Sequence, residues 1–232
     1  MGLNPHIFRE YDIRGVVSED LGGDVATGIG RAFGSEVRRR QGGAEGLRVV
    51  VGHDNRPSSP GLAARAIEGI RAAGVDVTFV GTVPTPVLYY AAEIHGTAGG
   101  LQITGSHNPP EYNGFKMIAG GRAVYGEAIQ RMRAMMEAGA FAAGAGRYDA
   151  RDVVPAYVED VGGRFRLERP IRMVVDCGNG TGSLVAVRLL RRAGVDVIPL
   201  YCESDGTFPN HHPDPTVDEN VQDLITRVLG EG

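Results

Sequence analysis

The segment Ile103-Thr104-Gly105-Ser106-His107-Asn108-Pro109-Pro110-Glu111-Tyr112-Asn113-Gly114-Phe115-Lys116 brings several reactive side-chain types into one short stretch. Ser106 suits a nucleophile or a phosphate carrier, His107 a proton shuttle or phosphate donor, Asn108 a polar positioner, and Lys116 a fixed positive charge for phosphoryl oxygens. Gly105 permits a sharp bend before the serine and Pro109-Pro110 stiffens the far side of the loop, so Ser106 is expected to be presented rather than packed. A hydrolase nucleophile elbow is excluded by spacing. It needs G-x-S-x-G, and Thr104-Gly105-Ser106-His107-Asn108 has no Gly at either required position. The competing reading is a capped turn, in which Ser106 and Asn108 bond backbone amides and His107 lies at the surface.

Two other clusters carry polar chemistry. In Phe8-Arg9-Glu10-Tyr11-Asp12-Ile13-Arg14-Gly15, Arg14 could reach a phosphate or a sugar, and Tyr11 could pack on a sugar face or bond a hydroxyl. The same residues could equally form a surface strand with a salt bridge. Gly52-His53-Asp54-Asn55-Arg56-Pro57-Ser58-Ser59 sits at a strand-to-helix turn, where a helix N-terminus favours anions. Arg56 there either binds substrate or holds neighbouring loops together. Adjacent His211 and His212 with Cys202 do not make a zinc site, because no second Cys/His pair completes a tetrahedral set. They are expected to be loop residues at a domain contact. Gly178-x-Gly180-x-Gly182 lacks the G-x-G-x-x-G spacing of a dinucleotide fingerprint and reads as a tight turn.

The elements that must position these residues are set by hydrophobic patterning. Leu47 to Gly52 is a strand, Ser58-Ser59-Pro60 opens a helix with Leu62, Ala66, Ile67 and Ile70 on one stripe, and Gly74 ends it before the strand Val75 to Val80. A second copy runs from the strand Ile171 to Asp176 through a helix with Leu184, Val187, Leu189 and Leu190. Arg71-Ala72-Ala73-Gly74-Val75-Asp76-Val77 and Arg191-Arg192-Ala193-Gly194-Val195-Asp196-Val197 share one grammar of helix end and strand start. This predicts two α/β domains of related topology. Asp24 is expected to cap a helix carrying Val25, Ile29, Phe33 and Val37, and Pro86 to Ile94 is a further helix. Gly99 to Thr104 and Phe115 to Ile118 read as strands. Gly126 to Ala138 reads as a helix whose Met132, Met135 and Met136 belong to the core. Ala138 to Arg151, rich in Ala and Gly, is read as the boundary between domains 1–150 and 151–232, with a helix over Asp152 to Phe165 leading into the second. Val217 to Leu229 is a helix with no strand after it, so the pattern leaves the second domain midway through an α/β repeat.

Totals narrow the classes. Lys plus Arg number 24 against 28 Asp plus Glu, a net charge of -4, and the dense basic run Arg38-Arg39-Arg40 reads as a helix end. A nucleic-acid partner is therefore not expected. Two Cys exclude a disulfide framework and leave reduced thiols as the expectation. No signal peptide or membrane span is legible, and His6 stands where myristoylation of Gly2 would want Ser or Thr. A cytoplasmic protein without a membrane partner is expected.

Taken together, the motifs resemble the α-D-phosphohexomutases, in particular the bacterial phosphomannomutase/phosphoglucomutase branch. Phe8 to Val16 is similar to that branch's opening motif, and Thr104 to Pro110, continued by Asn113-Gly114-Phe115-Lys116, resembles its phosphoserine loop. Asp205-Gly206-Thr207-Phe208-Pro209-Asn210-His211-His212-Pro213-Asp214-Pro215 is similar to a second-domain signature. Tyr11 and Gly105 set the chain apart from the phosphoglucosamine mutase branch. The resemblance implies α/β domains with mixed, mainly parallel sheets sandwiched by helices. It also implies reversible phosphoryl transfer between C1 and C6 of a hexose phosphate, through phosphorylated Ser106 and a 1,6-bisphosphate intermediate. Ser106, His107, Lys116 and Arg14 are then the expected catalytic residues, and Tyr11, Arg14, Asn108 and Arg56 the expected substrate-binding ones. Mg²⁺ is the implied metal, bound through the phosphate of Ser106, and glucose or mannose 1,6-bisphosphate the implied activator. The family's D-G-D-x-D-R metal loop does not occur in this sequence. The expectation is thus the first domain and most of the second of a longer mutase, inactive or severely impaired alone. The alternative expectation is a non-catalytic phosphosugar-binding or interaction fragment.

Overall fold

A computed structural model describes residues 3–231. Gly2, weighed above as a lipidation site, and Gly232, at the expected helix stop, lie outside the described residues. In chain order the strands and helices are β1 (Ile13–Val16), α1 (Val17–Asp20), α2 (Gly23–Arg40), β2 (Arg48–His53), α3 (Ser59–Ala72), β3 (Asp76–Thr82), α4 (Thr85–Ile94), β4 (Gly99–Ile103), β5 (Tyr112–Ala119), β6 (Arg122–Ala123), α5 (Glu127–Ala138), β7 (Tyr148–Ala150), α6 (Val154–Gly163), β8 (Arg172–Asp176), α7 (Ala186–Arg192), β9 (Asp196–Leu200) and α8 (Gln222–Gly230).

The first sheet runs β1-β5-β4-β2-β3-β7, with β6 on β5. β4, β2, β3 and β7 are parallel, while β5 is antiparallel to both β4 and β1. Alternation along β2 explains the layering. Val49 and Val51 face a core shared with Ile29, Phe33 and Val37 of α2, Leu62 and Ile70 of α3 and Ile129 and Met132 of α5, whereas Val50 faces α4. The unit β8-α7-β9 repeats β2-α3-β3 in miniature, again with adjacent parallel strands. The two expected α/β units of related topology are present.

Three expectations are corrected. Asp24 does not cap α2: Gly22 occupies the cap, and Asp24 lies in the first turn, where it still complements the helix dipole. The helix expected after Gly182 is a short 3-10 turn over Thr181–Leu184 followed by α7. The stretch before 151, expected to carry few contacts, carries several. Gly144 and Gly146 donate to Ala72 and Arg71 carbonyls, and Tyr148–Ala150 adds β7 to the edge of β3. These are backbone bonds, which an Ala- and Gly-rich segment forms without any apolar signature. Val153, Val158 and Val185 then share a core with Val87, Leu88 and Ala91 of α4, so the second unit packs on the α4 face of the first. Among the described residues no helix is long and apolar enough to cross a membrane.

Candidate active site

β2 and β4 are parallel neighbours, so the loops leaving their C-terminal ends emerge side by side, the common ligand position of such sheets. One loop carries Asp54 to Ser58 and the other Thr104 to Glu111. Ser106 takes a left-handed backbone, with φ of 58°, a conformation that is unfavourable for a residue with a Cβ. Its amide bonds Thr104 Oγ1 at 3.0 Å, and its exposed Oγ lies 3.4 Å from His107 Nδ1. The sharp conformation thus falls on the serine and not on Gly105, where the sequence pointed. Gly105 is required for another reason: a Cβ there would sit 2.5 Å from the guanidinium carbon of Arg56.

Arg56 is fully buried, at 0% exposure, behind the serine loop. Its Nε donates to Asp54 Oδ2 at 3.1 Å. Nη1 donates to the carbonyls of Pro109 at 2.7 Å and Tyr112 at 3.3 Å, and Nη2 to those of Ser106 at 3.0 Å and Asn108 at 2.6 Å. Asp54 in turn accepts from the amides of Arg56 and Gly105, each at 3.1 Å, and from the Ser59 hydroxyl. Burial pulls the Arg56 guanidinium below its usual value, opposed by the Asp54 carboxylate. All five N–H donors are occupied. Of the two readings of Arg56, substrate binder or holder of neighbouring loops, this geometry is that of the holder: it clamps the loop carrying Ser106 from behind.

The cations arrive from β1 and β5. Antiparallel pairing sets Arg14 opposite Gly114 and Ile13 opposite Phe115, which brings the N-terminal motif onto the strand that continues the serine loop. Arg14 Nη1 donates to Asn108 Oδ1 at 2.6 Å, and Nη2 pairs with Asp12 Oδ2. Lys116 Nζ reaches the same Asp12 oxygen at 3.2 Å. Two cations share one buried carboxylate, leaving a net positive charge beside the serine loop. Arg14 Nε is buried and has no partner among the described residues. Asp12 has no role assignable from the sequence by itself. Its signal is its place two residues before Arg14, on the same side of an extended chain. Tyr11, at 75% exposure, stands free on this segment.

The second unit closes over the clamp. Asn55 Nδ2 donates to the Asn179 carbonyl at 2.7 Å and to Ser204 Oγ at 3.0 Å. The Phe208 ring centroid lies 5.2 Å from the Arg56 guanidinium carbon, a cation–π contact. The Asp214 carboxyl is held below the usual range, first by the Thr216 hydroxyl and amide and further by His107 and His212, so the second-unit signature comes within electrostatic reach of the serine loop. His211 bonds Asp176 Oδ2 through Nε2 at 3.0 Å and the His212 carbonyl through Nδ1 at 2.9 Å, which occupies both ring nitrogens. Among the described residues no three His, Cys, Asp or Glu side chains are grouped to hold a metal ion. The side chains present therefore do not themselves form the implied Mg²⁺ site.

Comparison with known proteins gives concordant matches. The phosphoglucomutase/phosphomannomutase α/β/α domain I model matches residues 5–143, and the domain II model residues 155–232. A Pseudomonas aeruginosa protein named phosphomannomutase/phosphoglucomutase is 46% identical over 229 residues, covering 99% of this chain and 49% of the relative. A phosphoglucomutase of Neisseria gonorrhoeae is 45% identical over 222 residues, covering 94% and 47%. A crystal structure of a phosphoglucomutase/phosphomannomutase family protein from Burkholderia thailandensis matches with a TM-score of 0.91 at 47% identity, covering 98% of this chain and 50% of that one. The chain spans about half the length of the curated relatives it matches.

Proposed function

The chain belongs to the phosphoglucomutase/phosphomannomutase family, and we propose that its Ser106 carries the phosphoryl group exchanged between C1 and C6 of a hexose phosphate. The observation that carries this reading is an exposed serine hydroxyl beside His107, on a loop clamped from behind and flanked by two cations that share one carboxylate.

Phosphoryl transfer needs in-line placement and charge stabilisation more than covalent chemistry from the protein. A hydroxyl oxygen of the bound sugar phosphate attacks the phosphorus on Ser106, and the hydroxyl proton passes to water, from which His107 regains the proton it gives. The P–Oγ bond breaks as the new P–O bond forms, giving a 1,6-bisphosphate, and His107 Nδ1 is near enough to supply a proton to Oγ. After the sugar reorients, Ser106 Oγ attacks the other phosphate and the same steps run in reverse. Arg14 and Lys116 meet the phosphoryl oxygens with the charge that Asp12 leaves uncompensated, Asn108 orients Arg14, and exposed Tyr11 offers a face to the sugar. A 1,6-bisphosphate of glucose or mannose loads the serine at the start. The family resemblance implies Mg²⁺. The described residues group no three metal-ligating side chains to hold it, and the 232-residue chain by itself is proposed to turn over far more slowly than a full-length relative.

A coupled assay forming glucose 6-phosphate from glucose 1-phosphate, with Mg²⁺ and a trace of glucose 1,6-bisphosphate, tests this on the chain and on an extended form. Peptide mass mapping after the bisphosphate is added should place one phosphoryl group on Ser106. Turnover in the extended form that survives Ser106→Ala, or phosphate mapped to another residue, overturns the assignment. Comparable turnover by the chain and the extended form overturns the impaired-chain reading alone.

A further inference from the structure

The chain's two cysteines, Cys177 and Cys202, lie 25 positions apart in sequence yet meet in space. Each directly follows, or nearly follows, one of the parallel strands β8 and β9, whose register sets Asp176 opposite Leu200. The Cys177 amide continues the ladder by donating to the Leu200 carbonyl at 3.1 Å. The sulfurs are 3.1 Å apart, and the Cys202 thiol also faces the Leu200 carbonyl at 3.2 Å and the Val175 carbonyl at 3.4 Å. A disulfide is about 2.05 Å long, so bonding requires the sulfurs to approach by about 1 Å.

We propose that Cys177 and Cys202 form a thiol–disulfide exchange site that reacts with a low-molecular-weight disulfide and closes an internal disulfide. The two sulfurs are not equally placed. Cys202 lines a cavity of about 500 Å³ together with Ser183, Arg191, Tyr201 and Asn210, a volume that can hold a small thiol compound. Cys177 faces a different and smaller cavity beside His211 and Pro213. Burial, reinforced by the Cys202 sulfur, pushes the Cys177 thiol up to about 12, so it stays protonated near neutral pH. The first attack therefore falls to Cys202. It loses its proton and attacks one sulfur of the incoming disulfide; that S–S bond breaks and one thiolate leaves. Cys177 then loses its proton and attacks the Cys202 sulfur of the mixed disulfide, expelling the second thiolate. The two protons from the cysteines go to the two released thiolates, so two protein thiols are oxidised and one small disulfide is reduced.

The bond would tie together the two strand ends that hold Asn55 of the first unit. Cys177 leads into Asn179, whose carbonyl accepts from Asn55, and Cys202 leads into Ser204, whose hydroxyl accepts from the same amide. This inference does not depend on the mutase reading.

The test uses the reduced 232-residue chain with oxidised glutathione, quenched in acid and read by intact mass and peptide mapping. The expected product has lost two hydrogens, yields a cross-linked peptide pair containing Cys177 and Cys202, and retains no glutathione. Cys177→Ser should stop the reaction at a single adduct on Cys202. In glutathione redox buffers, the native chain should favour the disulfide by about tenfold or more over the chain in denaturant, whose closure reflects only the effective concentration of a flexible loop. Stable glutathione adducts on both cysteines, no reaction of the native chain, or equal constants with and without denaturant would each overturn the proposal.

Discussion

Ser106 is held in an unfavourable conformation by bonds to its own backbone and to the loop around it. A left-handed non-glycine residue costs on the order of 1–2 kcal/mol and persists only where its surroundings over-determine it. Here that surrounding is Arg56, which bonds the carbonyls of Ser106, Asn108, Pro109 and Tyr112. Arg56→Met removes those bonds and strands the buried Asp54 carboxylate, for an expected loss of about 3–5 kcal/mol in urea unfolding. Arg56→Lys keeps the charge with three donors in place of five. It should recover part of that stability while amide exchange at 106–108 stays faster than in the parent chain. Equal exchange in parent and lysine variant would show that charge alone, not the fork, holds the loop. The nearness of Ser106, His107, Asn108 and Lys116 is legible in the sequence because those residues are contiguous or nearly so. The clamp is not, because its partners are backbone carbonyls some fifty positions away that carry no side-chain signature. Gly105 stands out in the sequence as a bend, but its missing Cβ serves to make room for Arg56.

At the scale of elements, periodicity places the longer strands and helices but not α1 or β6, since burial of one face is what periodicity encodes. β7 escapes it because the strand is three residues long, lies at a sheet edge and is mostly exposed. The run Arg38-Arg39-Arg40 reads as a helix end, which it is, but its second role involves the carboxylate before it. The Glu36 side chain is wholly buried on α2 and accepts from Arg39 at 2.7 and 2.8 Å, from Arg40 at 2.9 Å and from Arg131 of α5 at 3.3 Å. Burial alone would raise its carboxyl; the three arginines outweigh that and bring it from 4.5 to about 2. Because the folded value lies below the unfolded one, the stabilisation is complete above about 4.5 and is lost as pH falls toward 2. At roughly 1.4 kcal/mol per pKa unit, Glu36→Gln should cost up to about 3 kcal/mol at neutral pH. Urea midpoints of the two proteins should converge as pH drops through that window. A gap that stays constant down to the acid end would remove the charged pairing as its source.

Across the whole molecule, the second unit meets the first at the apolar face of α4 and, through polar contacts, behind the Ser106 loop. Asn55, next to the clamp residue, donates to the Asn179 carbonyl and the Ser204 hydroxyl, while Phe208 covers the Arg56 guanidinium. The sequence marks Asp205 to Pro215 as a signature without showing what it touches, because a docking contact depends on shape across two units and not on any local period. Gly206 makes the shape explicit. A Cβ there would lie 2.0 Å from the Asn55 carbonyl oxygen and 2.8 Å from the Arg56 Cα, both backbone atoms that no side-chain rotation can move aside. Gly206→Ala must therefore separate the two loops, at an expected cost of about 1–3 kcal/mol, the usual range for overpacking. If the dock braces the clamp, amide exchange should quicken at 203–208 and also at 105–108 and 111–112, while the buried centre of β2 and β4 keeps its protection. Quickening confined to 203–208 would mean that Arg56 holds the serine loop unaided, and that the second unit contributes residues near the site without stiffening it.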